Sequence, residues 1–246
     1  MLLGSVESIA LLARDLRQHN IRNSSVRNIF PFGQTLTSFL KAMIRESFDC
    51  NIFNLYGATE TYWIARECEY HTGLHIPIDR NIVHIAKLNQ PNQPAVLGEQ
   101  GEVIVTSLGR WTTPFIRYRL HDVASIDFSP CPCGRNTARL KTIEGRIQDF
   151  LMSSSGGWVS PGAISTDLAY GRTAILDYRI VQETSNKVKV WIVPSPDFSN
   201  KDRQHIIAAI TQHLGSIYIE IELIAHIPRD PSGKRRRVYR VFGLAI

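Results

Sequence analysis

Five short stretches hold residue types at spacings that chemistry can use. Cys68-x-x-His71 and Cys131-x-Cys133-Gly134 together supply three thiols and an imidazole. That donor set suits tetrahedral structural zinc, which takes thiolate and imidazole ligands. His75 is the spare imidazole should His71 point away. The same residues also read as independent side chains, with thiols packed as small apolar groups, and Cys-x-Cys is less diagnostic than Cys-x-x-Cys. Cys50, beside a predicted strand, reads as packing.

In "NLYGATE", Tyr56-Gly57 ends a predicted strand in a tight turn, and Thr59 and Glu60 follow. That places them at the carboxyl edge of a sheet, where α/β proteins put ligands. There a ring stacks a base, a hydroxyl meets a phosphate and a carboxylate holds Mg²⁺. A plain strand-ending turn with an exposed Glu60 is the other reading. In "TTPFIRYRLHD", Arg117 and Arg119 alternate with Ile116, Tyr118 and Leu120, and Asp122 closes the strand. Asp122 can accept hydrogen bonds from ribose hydroxyls, although a cross-strand ion pair explains the pattern as well. "RDPSGKRRRVYR", from Arg229 to Arg240, sets six cations against Asp230. A solvated run, a nucleic-acid patch and a single reactive lysine, Lys234, all fit it.

These residues must be positioned by something. The chain has 246 residues, 43% of them hydrophobic and 20% charged, the composition of a globular protein of one large or two modest domains. Most of its formal charge of +6 comes from the Arg229–Arg240 stretch. A nucleic-acid partner is therefore disfavoured, because such proteins spread positive charge over a face. No apolar run approaches the roughly 20 residues that span a bilayer. Glu7, Arg14, Asp15 and Arg17 make the first residues an amphipathic helix rather than a leader. Four cysteines are too few for a disulfide scaffold at this length, which fits a reducing cytoplasm.

Helical spacing covers residues 5–18 through Val6, Ile9, Ala10, Ala13 and Leu16. "VRNIFPF" reads as a strand ending at Gly33. Thr35 reads as the N-cap of a helix through Phe48, with Leu36, Phe39, Leu40, Met43 and Ile44 inward, and "CNIFNLYG" as the next strand. From about residue 75, β-type segments separated by Pro91, Pro94, Gly98 and Gly101 predict a β-rich subdomain, a distorted barrel or small sandwich. Beyond about residue 146 come a hairpin through Ser153–Gly157, a helix after Pro161, two strands around "TSN", a helix from Asn200 to Leu214 and a strand in "IYIEIELIAHI".

"YGATE", "TPFIRYRLHD", "IEGRIQDF" and "PRDPSGKRRRV" stand in the order and approximate spacing of the adenylate-forming acyl-CoA ligase superfamily. The chain most resembles its phenylacetate-CoA ligase-like members, of the branch associated with capsule and surface-polysaccharide loci. The resemblance implies α/β plus α+β architecture. Residues 1–145 would be the carboxy-terminal portion of a large adenylation domain (α/β segment 1–65, β-rich subdomain 66–145), and 146–246 a small mobile domain. It implies that a carboxylic acid is adenylated with ATP and passed to CoA. By position, Tyr56 would stack on adenine, Gly33, Gln34 and Gly57 would line that pocket, and Thr59 would contact the phosphate or acyl carboxylate. Glu60 would hold Mg²⁺, Asp122 the ribose hydroxyls, Arg146 would assist near ribose and phosphate, and Lys234 would approach the reacting carboxylate. Gln148 stands where the family has an acidic or basic hinge residue, with Asp149 next.

The Cys-x-x-His and Cys-Pro-Cys-Gly knuckles also occur in that branch. The family's Ser/Thr/Gly-rich phosphate loop has no counterpart here, so the resemblance implies a truncated ligase, completed by an amino-terminal half or associating with a second copy. The alternative is a non-catalytic, zinc-stabilised interaction module.

Overall fold

Ser5 starts the first helix because its Oγ accepts the Ser8 amide at 3.1 Å, meeting one of the N–H groups a helix leaves open. The computed structural model describes residues 1–21, 25–88, 90–169, 174–228 and 236–242, apart from the side chains of residues 38, 39, 166 and 169. It divides into two units, Met1–Ile147 and Gln148–Ile246.

The first unit begins with β1 (Leu2–Ser5), α1 (Val6–Gln18), β2 (Asn28–Phe32), α2 (Ser38–Phe48) and β3 (Asn51–Ile52). The strands form a parallel sheet in the order β1-β2-β3. Val6, Ile9, Ala10 and Ala13 of α1 meet Leu40, Met43, Ile44 and Phe48 of α2 over Ile29 and Ile52 in one buried core. Two local readings change. The cap of α2 is Thr37, whose Oγ1 accepts the Leu40 amide at 3.3 Å, and not Thr35. "CNIFNLYG" is two strands rather than one, since β3 ends at Ile52 and the chain then enters a different sheet.

That second sheet comprises β4 (Leu55–Ala58), β5 (Tyr62–Glu67), β6 (Leu74–His75), β7 (Asn81–Lys87), β8 (Gln90–Pro94), β9 (Gly101–Ser107), β10 (Tyr118–Asp127) and β11 (Arg139–Arg146). Its order is β4-β5-β6-β11-β10-β9-β7-β8, with every pairing antiparallel. It is one open sheet, neither the barrel nor the sandwich expected, and it begins at Leu55 rather than beyond residue 65. "FIRYRL" and "VASIDF" prove to be largely one strand, β10, which starts at Tyr118 and is interrupted by a bulge. Ile64, Leu74, Val103, Val105, Ala124 and Leu140 fill its core.

The second unit contains β12 (Leu151–Met152), β13 (Trp158–Val159), α3 (Pro161–Ala169), β14 (Ile175–Thr184), β15 (Lys187–Pro194), α4 (Asn200–Leu214), β16 (Tyr218–Leu223) and β17 (Val238–Arg240). β12 and β13 form the hairpin predicted through Ser153–Gly157, and the larger sheet runs β16-β15-β14-β17. Alternate residues Val188, Val190 and Ile192 are fully buried, as the period of two requires for a half-covered sheet. Ile206, Ile210 and Leu214 recur at helical spacing on α4 and are buried too. Among the described residues no helix is long and apolar enough to cross a membrane.

Candidate functional site

The β4–β5 hairpin carries the first cluster. Gly57 lies inside β4, and a Cβ there would stand 2.4 Å from the Tyr62 carbonyl oxygen. Its small size is therefore required by close approach of the two strands, not by the turn expected at that position. The turn comes after it, where the Thr61 amide donates to the Ala58 carbonyl at 3.3 Å, so Thr59 and Glu60 sit at the tip of an antiparallel hairpin rather than at a parallel sheet edge. Arg110 clamps this tip. Its guanidinium donates to the Thr59 carbonyl at 3.2 Å and to the Glu60 carbonyl, and lies 4.6 Å from the Tyr62 ring centre. The Glu60 carboxylate accepts from the Tyr118 hydroxyl at 3.0 Å.

Across the sheet the Tyr56 hydroxyl donates to Asp122 Oδ2 at 2.7 Å. Burial, with the Asp122 charge beside it, pushes the Tyr56 phenol well above its usual range, so it stays a donor. Tyr56 as a whole is only 8% exposed and packs within the sheet core. Asp122 pairs across strands with Arg146, whose Nε lies 3.8 Å from Asp122 Oδ1 and whose side chain is 52% exposed. The sheet and its hairpin tip thus assemble two carboxylates, two phenols and two guanidinium groups. Carboxylates accept from sugar hydroxyls or hold a hard cation, and a guanidinium pairs with phosphate.

Gly33 and Gln34 follow directly on β2. Gly33 turns the chain at φ +79°, and the Gln34 side-chain amide accepts from the Glu7 amide at 2.8 Å and donates to Glu7 Oε2 at 3.1 Å. Within the second unit, Asp149 accepts from Arg236 Nε at 2.9 Å, Arg236 lies 4.4 Å from the Tyr239 ring centre, and Arg237 stands 3.4 Å from Asp177. Arg240 lies 4.4 Å from the ring centre of Trp158. These described cations of the basic run, Arg236, Arg237 and Arg240, are engaged inside their own unit rather than simply solvated. Gln148 is half-buried in a 3-10 turn, Ile147–Asp149. Lys234 lies outside the described residues.

The second cluster joins Cys68, His75, Cys131 and Cys133, whose ligand atoms all lie within 4.8 Å of one another. The sequence pattern favoured His71. The structure instead gives His71 to Glu67, at 3.1 Å from Oε2, and stacks its ring on Phe53 with centres 5.3 Å apart. Strand β6 carries His75 toward β11, and His75 Nδ1 meets Thr137 Oγ1 at 3.0 Å, leaving Nε2 facing Cys133 Sγ at 3.4 Å. Cys68 Sγ and Cys131 Sγ are 3.7 Å apart. Metal–sulfur bonds of about 2.3 Å and metal–nitrogen bonds of about 2.0–2.1 Å give tetrahedral edges of about 3.8 Å between sulfurs and about 3.5–3.6 Å between sulfur and nitrogen. The donor set therefore fits zinc in both chemistry and spacing.

Neighbours orient it as outer ligands do. Thr72 Oγ1 lies 3.4 Å from Cys131 Sγ, and buried Arg139 donates to the Thr72 carbonyl at 3.2 Å and to Asp127 at 3.0 Å. The Thr72 contact, then the Cys133 backbone amide, pulls the Cys131 thiol down to about 5, whereas burial pushes Cys68 up. Arg110, Thr72 and Arg139 were not singled out from sequence. Only Arg139 carried a signal, as a cation in the strand leading from the Cys-x-Cys loop.

Comparison with known proteins places both units. Residues 151–240 match the family described as the CapK C-terminal domain. Protein CapK of Staphylococcus aureus is 26% identical over 240 residues, covering 95% of this chain and 51% of CapK. The phenylacetate-coenzyme A ligase of Thermus thermophilus is 24% identical over 229 residues, covering 82% of this chain and 51% of that enzyme. A 2-hydroxyisobutyryl-CoA ligase, solved in a postadenylation state with an acyl-AMP, superimposes over 97% of this chain and 54% of its own, with a TM-score of 0.83 at 20% identity. The fold is that of the adenylate-forming CoA ligases. A benzoate CoA ligase from Burkholderia xenovorans LB400 shares it, with a TM-score of 0.67 at 17% identity over 96% of this chain and 50% of its own. The resemblance drawn from four motifs thus holds for both sequence relatives and fold, and the chain spans about half the length of the curated relatives it matches.

Proposed function

We propose that this chain is the carboxy-terminal part of an enzyme that activates a carboxylic acid with ATP and passes the acyl group to CoA. In the first step a carboxylate oxygen bonds to the α-phosphorus and pyrophosphate leaves; in the second the CoA thiol bonds to the acyl carbon and AMP leaves. The observation that carries the reading is the Tyr56–Asp122–Arg146 cluster, held beside the Glu60 hairpin within the adenylate-forming fold. Asp122 accepts from the ribose hydroxyls, Tyr56 holds Asp122 through its hydroxyl, and Arg146 faces the phosphate. Glu60 holds Mg²⁺, and Thr59 meets the phosphate or acyl carboxylate. Lys234 concentrates positive charge where the transition state gathers negative charge. Gln148 and Asp149 form the link about which the small domain turns.

The rest of the ATP grip comes from an amino-terminal polypeptide, and the acyl pocket takes walls from that part too. Zinc at Cys68, His75, Cys131 and Cys133 is structural, since four protein ligands leave no open position. A second reading is a zinc-stabilised module without activity of its own, supported by the cluster of Cys68, His75, Cys131 and Cys133. Acyl-dependent ATP–pyrophosphate exchange separates the two. Exchange by the chain joined to an amino-terminal half, reduced at least about tenfold by Asp122→Ala, supports the ligase; inertness across aromatic and aliphatic acids supports the module.

A further inference from the structure

Glu102 on β9 is fully buried in an otherwise apolar run, a placement that an unpaired carboxylate would not tolerate. Both its oxygens are used. Arg119 Nε donates to Oε1 and to Oε2 at 3.0 Å each, Arg119 Nη2 donates to Oε2 at 2.7 Å, and His121 Nδ1 lies 2.9 Å from Oε1. The outer ends of these partners are in solvent, with Arg119 44% and His121 60% exposed.

These two residues belong to the bulge in β10. Its pairing with β9 jumps from Arg119 opposite Ile104 to Val123 opposite Glu102, so Leu120, His121 and Asp122 face Val103 alone. His121 takes the left-handed conformation at φ +59°, which a residue with a Cβ adopts only when its surroundings hold it there. Bulges of this kind re-aim a side chain. Here the side chain is Asp122, which stays paired with Arg146 of β11 on the other side and reaches the Tyr56 hydroxyl.

We propose that Glu102 is a positioning residue for the nucleotide site: it holds Arg119 at the start of the bulge and His121 at its apex, and so fixes the Asp122 carboxylate where it would meet ribose hydroxyls. The inference rests on the ribose role given to Asp122 above. It separates Glu102 from an ordinary ion pair, because its loss should act on recognition of one part of one ligand.

The test uses the 246-residue chain, its Glu102→Gln variant, and two probes, AMP and 2′,3′-dideoxy-AMP, with binding measured by calorimetry. The wild type should prefer AMP by about tenfold or more, the worth of hydrogen bonds to a charged group. In Glu102→Gln that ratio should fall to near one while dideoxy-AMP binding changes little; a retained ratio overturns the proposal. Hydrogen exchange is read in parallel without nucleotide. Exchange should rise about tenfold in residues 118–124 and stay unchanged in β7 and β11. Unaltered exchange at 118–124 overturns the positioning role whatever the chain binds. A wild type that does not distinguish the two nucleotides refutes the ribose role of Asp122, and the exchange result alone then decides on Glu102. Should Glu102→Gln not fold, Arg119→Gln and His121→Ala, changed at the exposed end of each tie, take its place, and an AMP preference unaltered in both overturns the proposal.

Discussion

His71 and His75 compete for the same role, and replacing each by alanine separates them sharply. His75 Nε2 stands 3.4 Å from Cys133 Sγ within the cluster, whereas His71 is occupied by Glu67 and Phe53. Loss of an outer-shell partner already weakens a metal site about 10- to 100-fold, so loss of a ligand should cost at least about 100-fold. With free zinc at 100 times Kd, the folded unit gains about 2.7 kcal/mol; a site weakened 100-fold keeps only about 0.4 kcal/mol under the same conditions. For a unit of this size, the difference lowers the zinc-saturated Tm by about 5–9 °C. His71→Ala instead loses one hydrogen bond and one ring contact, about 1 kcal/mol, and does so equally with and without zinc. The assay is elemental zinc content after reloading and desalting, together with Tm measured with chelator and with buffered zinc. His75→Ala should lose both the zinc and the zinc-dependent part of Tm, and His71→Ala neither. The reverse pattern would show that the sequence spacing, not the strand geometry, chooses the ligand.

Other outcomes follow from single contacts. Gly57→Ala places a methyl 2.4 Å from a backbone oxygen, so β4 and β5 must separate, at about 1–3 kcal/mol in a urea titration of the first unit. In metal-free protein the Cys131 thiol titrates near 5 when folded, against an ordinary value of 9.0. The unfolded chain then holds more protons between these values, so stability should rise with pH from about 5 to 9 and be lost as pH falls through 5. Urea midpoints of Cys131→Ser should be flatter over that window. Arg237→Gln removes the cation beside Asp177, a residue only 8% exposed, and should destabilise the second unit by about 1–2 kcal/mol. A DNA-binding assay should register no change in the same variant.

The helical faces were legible because burial repeats every three to four residues there, as Val6, Ile9, Ala10 and Ala13 show. The motifs were legible as strings, but their partners were not. Tyr56 and Asp122 are 66 positions apart, and Cys68 and Cys131 are 63 apart. Only the order of the eight-stranded sheet brings them together. His71 misled because a Cys-x-x-His spacing says nothing of strand direction: β6 aims His75 at the thiols while the turn before it sends His71 to Glu67. Gly57 was recognised as constrained for the wrong reason, since a close carbonyl leaves no mark in the local sequence. Glu102 had a faint signal, an acid in an apolar strand, whose meaning depends on a bulge in the neighbouring strand.

The central claim is that the first unit carries the ribose-binding part of an adenylation site. Acyl-dependent ATP–pyrophosphate exchange, measured on the chain joined to an amino-terminal half, tests it most directly when wild type and Asp122→Ala are compared. Exchange in the wild type, reduced at least about tenfold by the substitution, is the predicted result; exchange of equal rate in both proteins would contradict it.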